Sequence, residues 1–105
     1  MAVTLTTDAD FQTLIADNDK VVVKYFADWC GACKLFNGKY KRLAKDEKYG
    51  AVTFLDINAE TNPEARKLAG VKSLPFFATF RNGELIEGED TAKEEKVVEM
   101  IENLL

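Results

Sequence analysis

From Val21 to Ala27 the chain reads Val-Val-Val-Lys-Tyr-Phe-Ala, apolar at every position but one and rich in β-branched and aromatic side chains. A run without polar alternation predicts a strand covered on both faces, and therefore a central one. Farther on, Phe36, Tyr40, Leu43, Ala44 and Glu47 recur at spacings of four and three, with lysines between them. That is the period of a helix with one buried stripe. Val3–Thr6 predicts a short strand, with Thr7 or Asp8 capping a helix that turns Phe11, Leu14 and Ile15 inward. Ala51–Ile57 repeats the buried-strand pattern, and Asn62 as N-cap, Pro63 in the first turn and Gly70 as the stop frame a short helix. Phe76–Phe80 and Glu84–Glu87 form a hairpin across Asn82-Gly83, the dipeptide favoured where a two-residue turn needs positive φ. Thr91 with Glu94 reads as a capping box before a last helix that buries Val97, Val98, Ile101, Leu104 and Leu105. The order β-α-β-α-β-α-β-β-α predicts an α/β protein with a mixed sheet between helix layers.

Composition changes the picture mainly by exclusion. A chain of 105 residues, 47% hydrophobic, supports one compact domain. With 14 basic against 18 acidic residues the net charge is −4, so neither nucleic acid nor an anionic membrane surface is an expected partner. MAVTLTTDAD lacks the basic start and apolar run of a signal peptide, and no stretch approaches the roughly 18 apolar residues of a membrane span. The expectation is a soluble intracellular protein.

The candidate chemistry lies in ADWCGACK, Ala27–Lys34, which holds the only tryptophan and the only two cysteines. Cys30 and Cys33 can be read as free buried thiols, as part of a metal site or as a redox pair. Zinc usually takes four nitrogen or sulfur ligands, and two cysteines with no histidine supply too few within one chain. A permanent staple is equally out of place in a reducing compartment, and so short a loop constrains the unfolded chain little. Cys30 stands where the predicted strand gives way to the predicted helix. Free N–H groups and the positive dipole end there favour a thiolate. A spacing of three brings both side chains onto one helix face, close enough to bridge.

Phe26-Ala27-Asp28-Trp29-Cys30-Gly31-Ala32-Cys33-Lys34 resembles the W-C-G-P-C-K redox motif of the thioredoxin family. Asp56-Ile57-Asn58 through Asn62-Pro63 is similar to that family's third strand and following loop, Val71-Lys72-Ser73-Leu74-Pro75 to its cis-proline segment, and Phe80-Arg81-Asn82-Gly83-Glu84 to its hairpin. The resemblance runs over nearly the whole chain. It implies a single domain over residues 1–105 with the thioredoxin fold, a central mixed β-sheet flanked by helices on both faces. The implied activity is thiol-disulfide exchange without cofactor or metal: Cys30 attacks a protein disulfide and Cys33 resolves the mixed disulfide. Implied partners are protein disulfide substrates and a thioredoxin-reductase-type electron donor, in the cytoplasm.

Further roles follow from the resemblance. Trp29 would shield the site and offer partners an apolar surface, alongside Gly31 and Ala32. Pro75 would be cis, keeping an N–H away from the sulfurs, and the Leu74 backbone would pair with an extended substrate segment. Phe76, where the family commonly has threonine, would make that groove more apolar. Ala32 replaces the usual proline between the cysteines, Gly38 the kinking proline of the helix, and Thr91 a glycine that borders the partner surface. Lys24 stands where the family buries an aspartate beneath the cysteines, and Asp56 where its common bacterial pattern has lysine. The expectation is a Lys24–Asp56 ion pair behind the site, with Asp56 as proton acceptor for Cys33. Three other readings stand beside this one. They are a binding module in which Trp29, Leu74 and Phe76 hold a partner, a redox sensor, and a more oxidising oxidase or isomerase.

Overall fold

A computed structural model describes residues 2–105. In chain order the elements are β1 (Thr4–Thr6), α1 (Asp8–Asp17), β2 (Lys20–Phe26), α2 (Gly31–Lys45), a 3-10 turn (Glu47–Tyr49), β3 (Thr53–Asn58), α3 (Pro63–Ala69), β4 (Phe76–Arg81), β5 (Glu84–Asp90) and α4 (Glu94–Glu102). They form one five-stranded sheet in the order β1-β3-β2-β4-β5. The apolar run thus becomes the middle strand, parallel to β3 and antiparallel to β4.

Strand alternation divides the core in two. Val22, Phe54 and Phe77 meet Phe36, Tyr40 and Leu43 of α2 and Val97, Met100 and Ile101 of α4 on one face. Val21, Val23, Tyr25, Leu55, Ile57, Ala78 and Phe80 meet Phe11 and Ile15 of α1 and Ala65 of α3 on the other. Both faces of β2 are therefore covered, which is why its sequence shows no polar alternation. The Tyr40 hydroxyl donates to the Leu55 carbonyl at 2.8 Å, with the Val22 carbonyl 3.1 Å away, so α2 is fastened to β2 and β3 together.

The turns follow their residues. Asn82 and Gly83 have φ of 52° and 84°, the paired positive values of a tight hairpin, and Gly70 ends α3 at φ 67°. α2 continues unbroken through Gly38.

The helix ends differ from their sequence readings in an instructive way. Neither Thr7 nor Asn62 caps its own helix through its side chain. Asn62 Oδ1 accepts the Asp8 N–H at 2.7 Å, while the Asp8 carboxylate accepts the N–H groups of Glu64 and Ala65 at 3.0 and 2.9 Å. Each helix is capped from the other, because α1 and α3 pack side by side with their starts adjacent. The capping box at Thr91 is absent as well. α4 begins after Lys93, and the Thr91 hydroxyl accepts the Lys93 N–H at 3.1 Å, two residues on. Glu47 lies beyond the end of α2 and is exposed, while Tyr49 fills the space below that end. Leu105 is 54% exposed because α4 ends at Glu102, and Met100 takes the buried position instead.

Candidate active site

Cys30 is the N-cap residue of α2, set at the end of the connection from β2. Its Sγ accepts the Cys33 N–H at 3.1 Å and its carbonyl accepts the Lys34 N–H at 3.2 Å. The two sulfurs are joined in a disulfide, with Cα atoms 5.3 Å apart. In this oxidised form exposure barely separates the cysteines, at 4% for Cys30 and 2% for Cys33. Their surroundings do separate them. Sγ of Cys30 meets the Cys33 N–H in the first turn of α2, at the helix end where negative charge is stabilised. Cys33 lines a cavity of about 220 Å³ together with Ala27, Asp28, Lys34, Asn37 and Asp56.

Lys24 and Asp56 stand directly opposite each other in the β2–β3 register, on the face covered by α2. The Lys24 Nζ lies 3.4 Å from Asp56 Oδ1. Lys24 is only 1% exposed, so its ammonium does not snorkel to the sheet edge. Burial pulls the Lys24 ammonium below its usual pKa, and the neighbouring Asp56 charge opposes that shift. Burial likewise holds the Asp56 carboxyl above its usual value, against the opposing effect of Lys24. The contact is an ion pair without hydrogen-bond geometry, and Asp56 Oδ1 makes no hydrogen bond among the described residues. An acceptor position is thus left over on the buried oxygen of a half-buried carboxylate that borders the same cavity as Cys33.

Asn37 completes this cluster, and the sequence reading did not single it out. Its Oδ1 accepts from the Lys24 ammonium. The available signal was its place one turn after Cys33, on the edge of the buried stripe.

On the other side of the disulfide, Ala32, Ser73, Leu74, Pro75, Asp90 and Thr91 line a groove of about 360 Å³. Leu74 packs against Ala27, Cys30 and Cys33, and the Leu74-Pro75 bond is cis. Leu74 precedes β4 and lies outside its ladder. Ser73 Oγ donates to Asp90 Oδ2 at 2.7 Å, tying this loop to the end of β5.

Phe76 does not line the groove. Alternation along β4 sends it to the α1/α3 face, edge-on to Tyr25 with ring centroids 6.0 Å apart. Its ring lies so close over Gly88 that a Cβ there would come within 2.8 Å of Phe76 Cζ. Trp29 is 67% exposed, and its Nε1 donates to Glu60 at 2.7 Å. Glu60 was another unread residue. Asn58 Oδ1 accepts its N–H at 2.8 Å, so a turn at the end of β3 presents the carboxylate to the indole. Gly31 is exposed, with open space where a side chain would stand.

Comparison with known proteins agrees with this geometry. The thioredoxin family matches residues 2–103. A thioredoxin of Gallus gallus is 33% identical over 99 residues, covering 92% of each chain. The structure of thioredoxin f from spinach chloroplast superposes with a TM-score of 0.90 at 29% identity, over 98% of this chain and 93% of that one. A chain from the complex of ferredoxin:thioredoxin reductase with thioredoxin f2 superposes with a TM-score of 0.88 at 27% identity, over 97% and 94%.

Proposed function

The chain belongs to the thioredoxin family and is a protein-disulfide oxidoreductase, and on that premise we propose how its residues divide the work. Cys30, as thiolate at the start of α2, attacks one sulfur of a partner's disulfide. A bond forms between Cys30 Sγ and that sulfur, and the partner's other sulfur leaves as a thiolate that takes a proton from solvent. Asp56 then accepts the Cys33 proton, directly or through water. The Cys33 thiolate attacks Cys30 Sγ, the Cys30–Cys33 disulfide closes, and the partner's second sulfur departs. Two electrons have passed from the cysteine pair to the substrate. The observation that carries this division is the position of Cys33, bonded to Cys30 on one side and bordering the Asp56 cavity on the other.

Substrate would lie in the groove by Ala32, Leu74 and Pro75, adding an extended segment to the free Leu74 backbone, with Trp29 and Gly31 at its other margin. The regenerating dithiol would come from a reductase of the thioredoxin-reductase type. The reductase complex of the similar thioredoxin f2 supports that reading. The proposed setting is the cytoplasm, where thiols are kept reduced.

Insulin reduction by dithiothreitol tests the assignment. The wild-type protein should accelerate precipitation of the insulin B chain, and Cys30→Ser should abolish the acceleration. A wild-type protein that gives no acceleration is a binding module, and the reading fails.

A further inference from the structure

Asn37 sits on the exposed surface of α2, yet its side chain reaches inward to a lysine that is almost wholly buried. The Lys24 ammonium is held between Asn37 Oδ1 and the Asp56 carboxylate, with the rings of Tyr40 and Phe26 at 5.5 and 5.6 Å. Asn37 and Asp56 each bring it an oxygen, whereas the Tyr40 hydroxyl is turned to the Leu55 and Val22 carbonyls. Three elements meet here: β2 brings Lys24, β3 brings Asp56, and α2 brings Asn37 one turn beyond Cys33.

Without Asn37 the ammonium has one polar partner and a flexible four-carbon stem. The cavity beside it also carries Asp28, an alternative carboxylate. Either route changes what Asp56 faces. We propose that Asn37 is a positioning residue for the resolving step: it fixes the Lys24 ammonium beside Asp56, so that the carboxylate stays turned to the cavity it shares with Cys33. The proposal rests on the reading that Asp56 takes the Cys33 proton. It adds that a surface asparagine on α2, hydrogen-bonded to Lys24 and to neither sulfur, sets the rate at which that proton leaves.

The charged and titratable groups around the step are few. Asp28 stands in the β2–α2 connection, and α2 contributes Lys34, Lys41 and Tyr40. β2 contributes Lys24, and Asp56 itself is on β3. None of these groups is removed when Asn37 alone is changed.

Stopped-flow reaction of the reduced protein with 5,5′-dithiobis(2-nitrobenzoate) separates the steps. The first thionitrobenzoate released reports Cys30 attack, and the second reports attack of Cys33 on the mixed disulfide. Asn37→Leu keeps the volume and removes the acceptor, and Asn37→Ala is the second variant. Because the position is exposed, both should fold. In both, the second phase should slow roughly tenfold at neutral pH, as expected when a reacting group is misplaced. The pH midpoint of that phase should move while the first phase keeps its rate and profile. A second phase with the wild-type rate and midpoint overturns the proposal, and so does an equal slowing of both phases. Asp56→Asn separates the two levels. If it slows the second phase and the Asn37 variants do not, only the role of Asn37 falls. If Asp56→Asn leaves the second phase intact, the role of Asp56 falls and that of Asn37 with it.

Discussion

The Lys24 ammonium lies 3.4 Å from the Asp56 carboxylate across the β2–β3 pairing, behind the cysteines and beneath α2. Two charges of opposite sign thus occupy a place where one of them alone would be strongly disfavoured. Relative to the family pattern both members are exchanged between strands. A register that places positions 24 and 56 opposite each other makes this possible, since swapping the partners preserves the contact.

Breaking the pair should be costly. Lys24→Met leaves the half-buried Asp56 without its counter-charge and should lower stability by about 3 kcal/mol, the low end of the scale for removing one partner of a buried pair. Lys24→Asp combined with Asp56→Lys should recover most of the loss that each change causes singly. Asn37 can follow the exchange by turning its amide NH₂ toward the new carboxylate. Urea unfolding of the four proteins measures the cycle, and mild, additive single effects would show that no coupling exists.

The raised Asp56 pKa has a definite sign in the pH dependence of stability. Its ordinary value is 3.8, and burial keeps the proton on to higher pH in the folded chain. Between that value and the raised one the folded state binds more protons than the unfolded state, so this group's contribution falls as pH rises through the window. Asp56→Asn removes that slope. Unfolding midpoints followed from acid to neutral pH should therefore fall in the wild type relative to the variant as the pH rises through the window; parallel curves would show that Asp56 titrates normally.

Patterns carried by a single element were legible in the sequence. The unbroken apolar run Val21–Val23 announced a central strand, and Asn82-Gly83 announced its turn, because each depends on residues adjacent in the chain. The cysteine motif was legible for the same reason, whereas the Lys24–Asp56 pair was legible through the family resemblance, which sets both positions behind the cysteines, each a charge that interrupts an apolar strand. Features built between elements were not. The exchanged caps of Asp8 and Asn62 need α1 beside α3, and Glu60 reaches Trp29 only after β3 has been laid into the sheet. Phe76 was misread because its face follows from where β4 begins, and one residue of shift sends a side chain to the opposite side. Asn37 hides among the lysines of an exposed helix surface, and its place one turn after Cys33 is the one local sign that sets it apart from a solvated asparagine.

The exchanged caps make their own prediction. Asp8→Ala removes the acceptor for two N–H groups of α3 and should cost about 1 to 2 kcal/mol. Asn62→Ala should destabilise α1 by a comparable or smaller amount. Since the two side chains fix each other's helix, the double variant should lose less than the sum. Thermal unfolding reads this, and strict additivity would mean the helices are capped independently.

Trapping the mixed disulfide tests most directly whether Cys30 attacks and Cys33 resolves. Reduced Cys33→Ser, mixed with a disulfide-bonded peptide and analysed by intact mass spectrometry without reductant, should accumulate a stoichiometric adduct on Cys30. Under the same conditions reduced Cys30→Ser should remain unmodified. An adduct that forms preferentially on Cys33 of the Cys30→Ser protein, with none on Cys30 of its counterpart, would contradict the assignment.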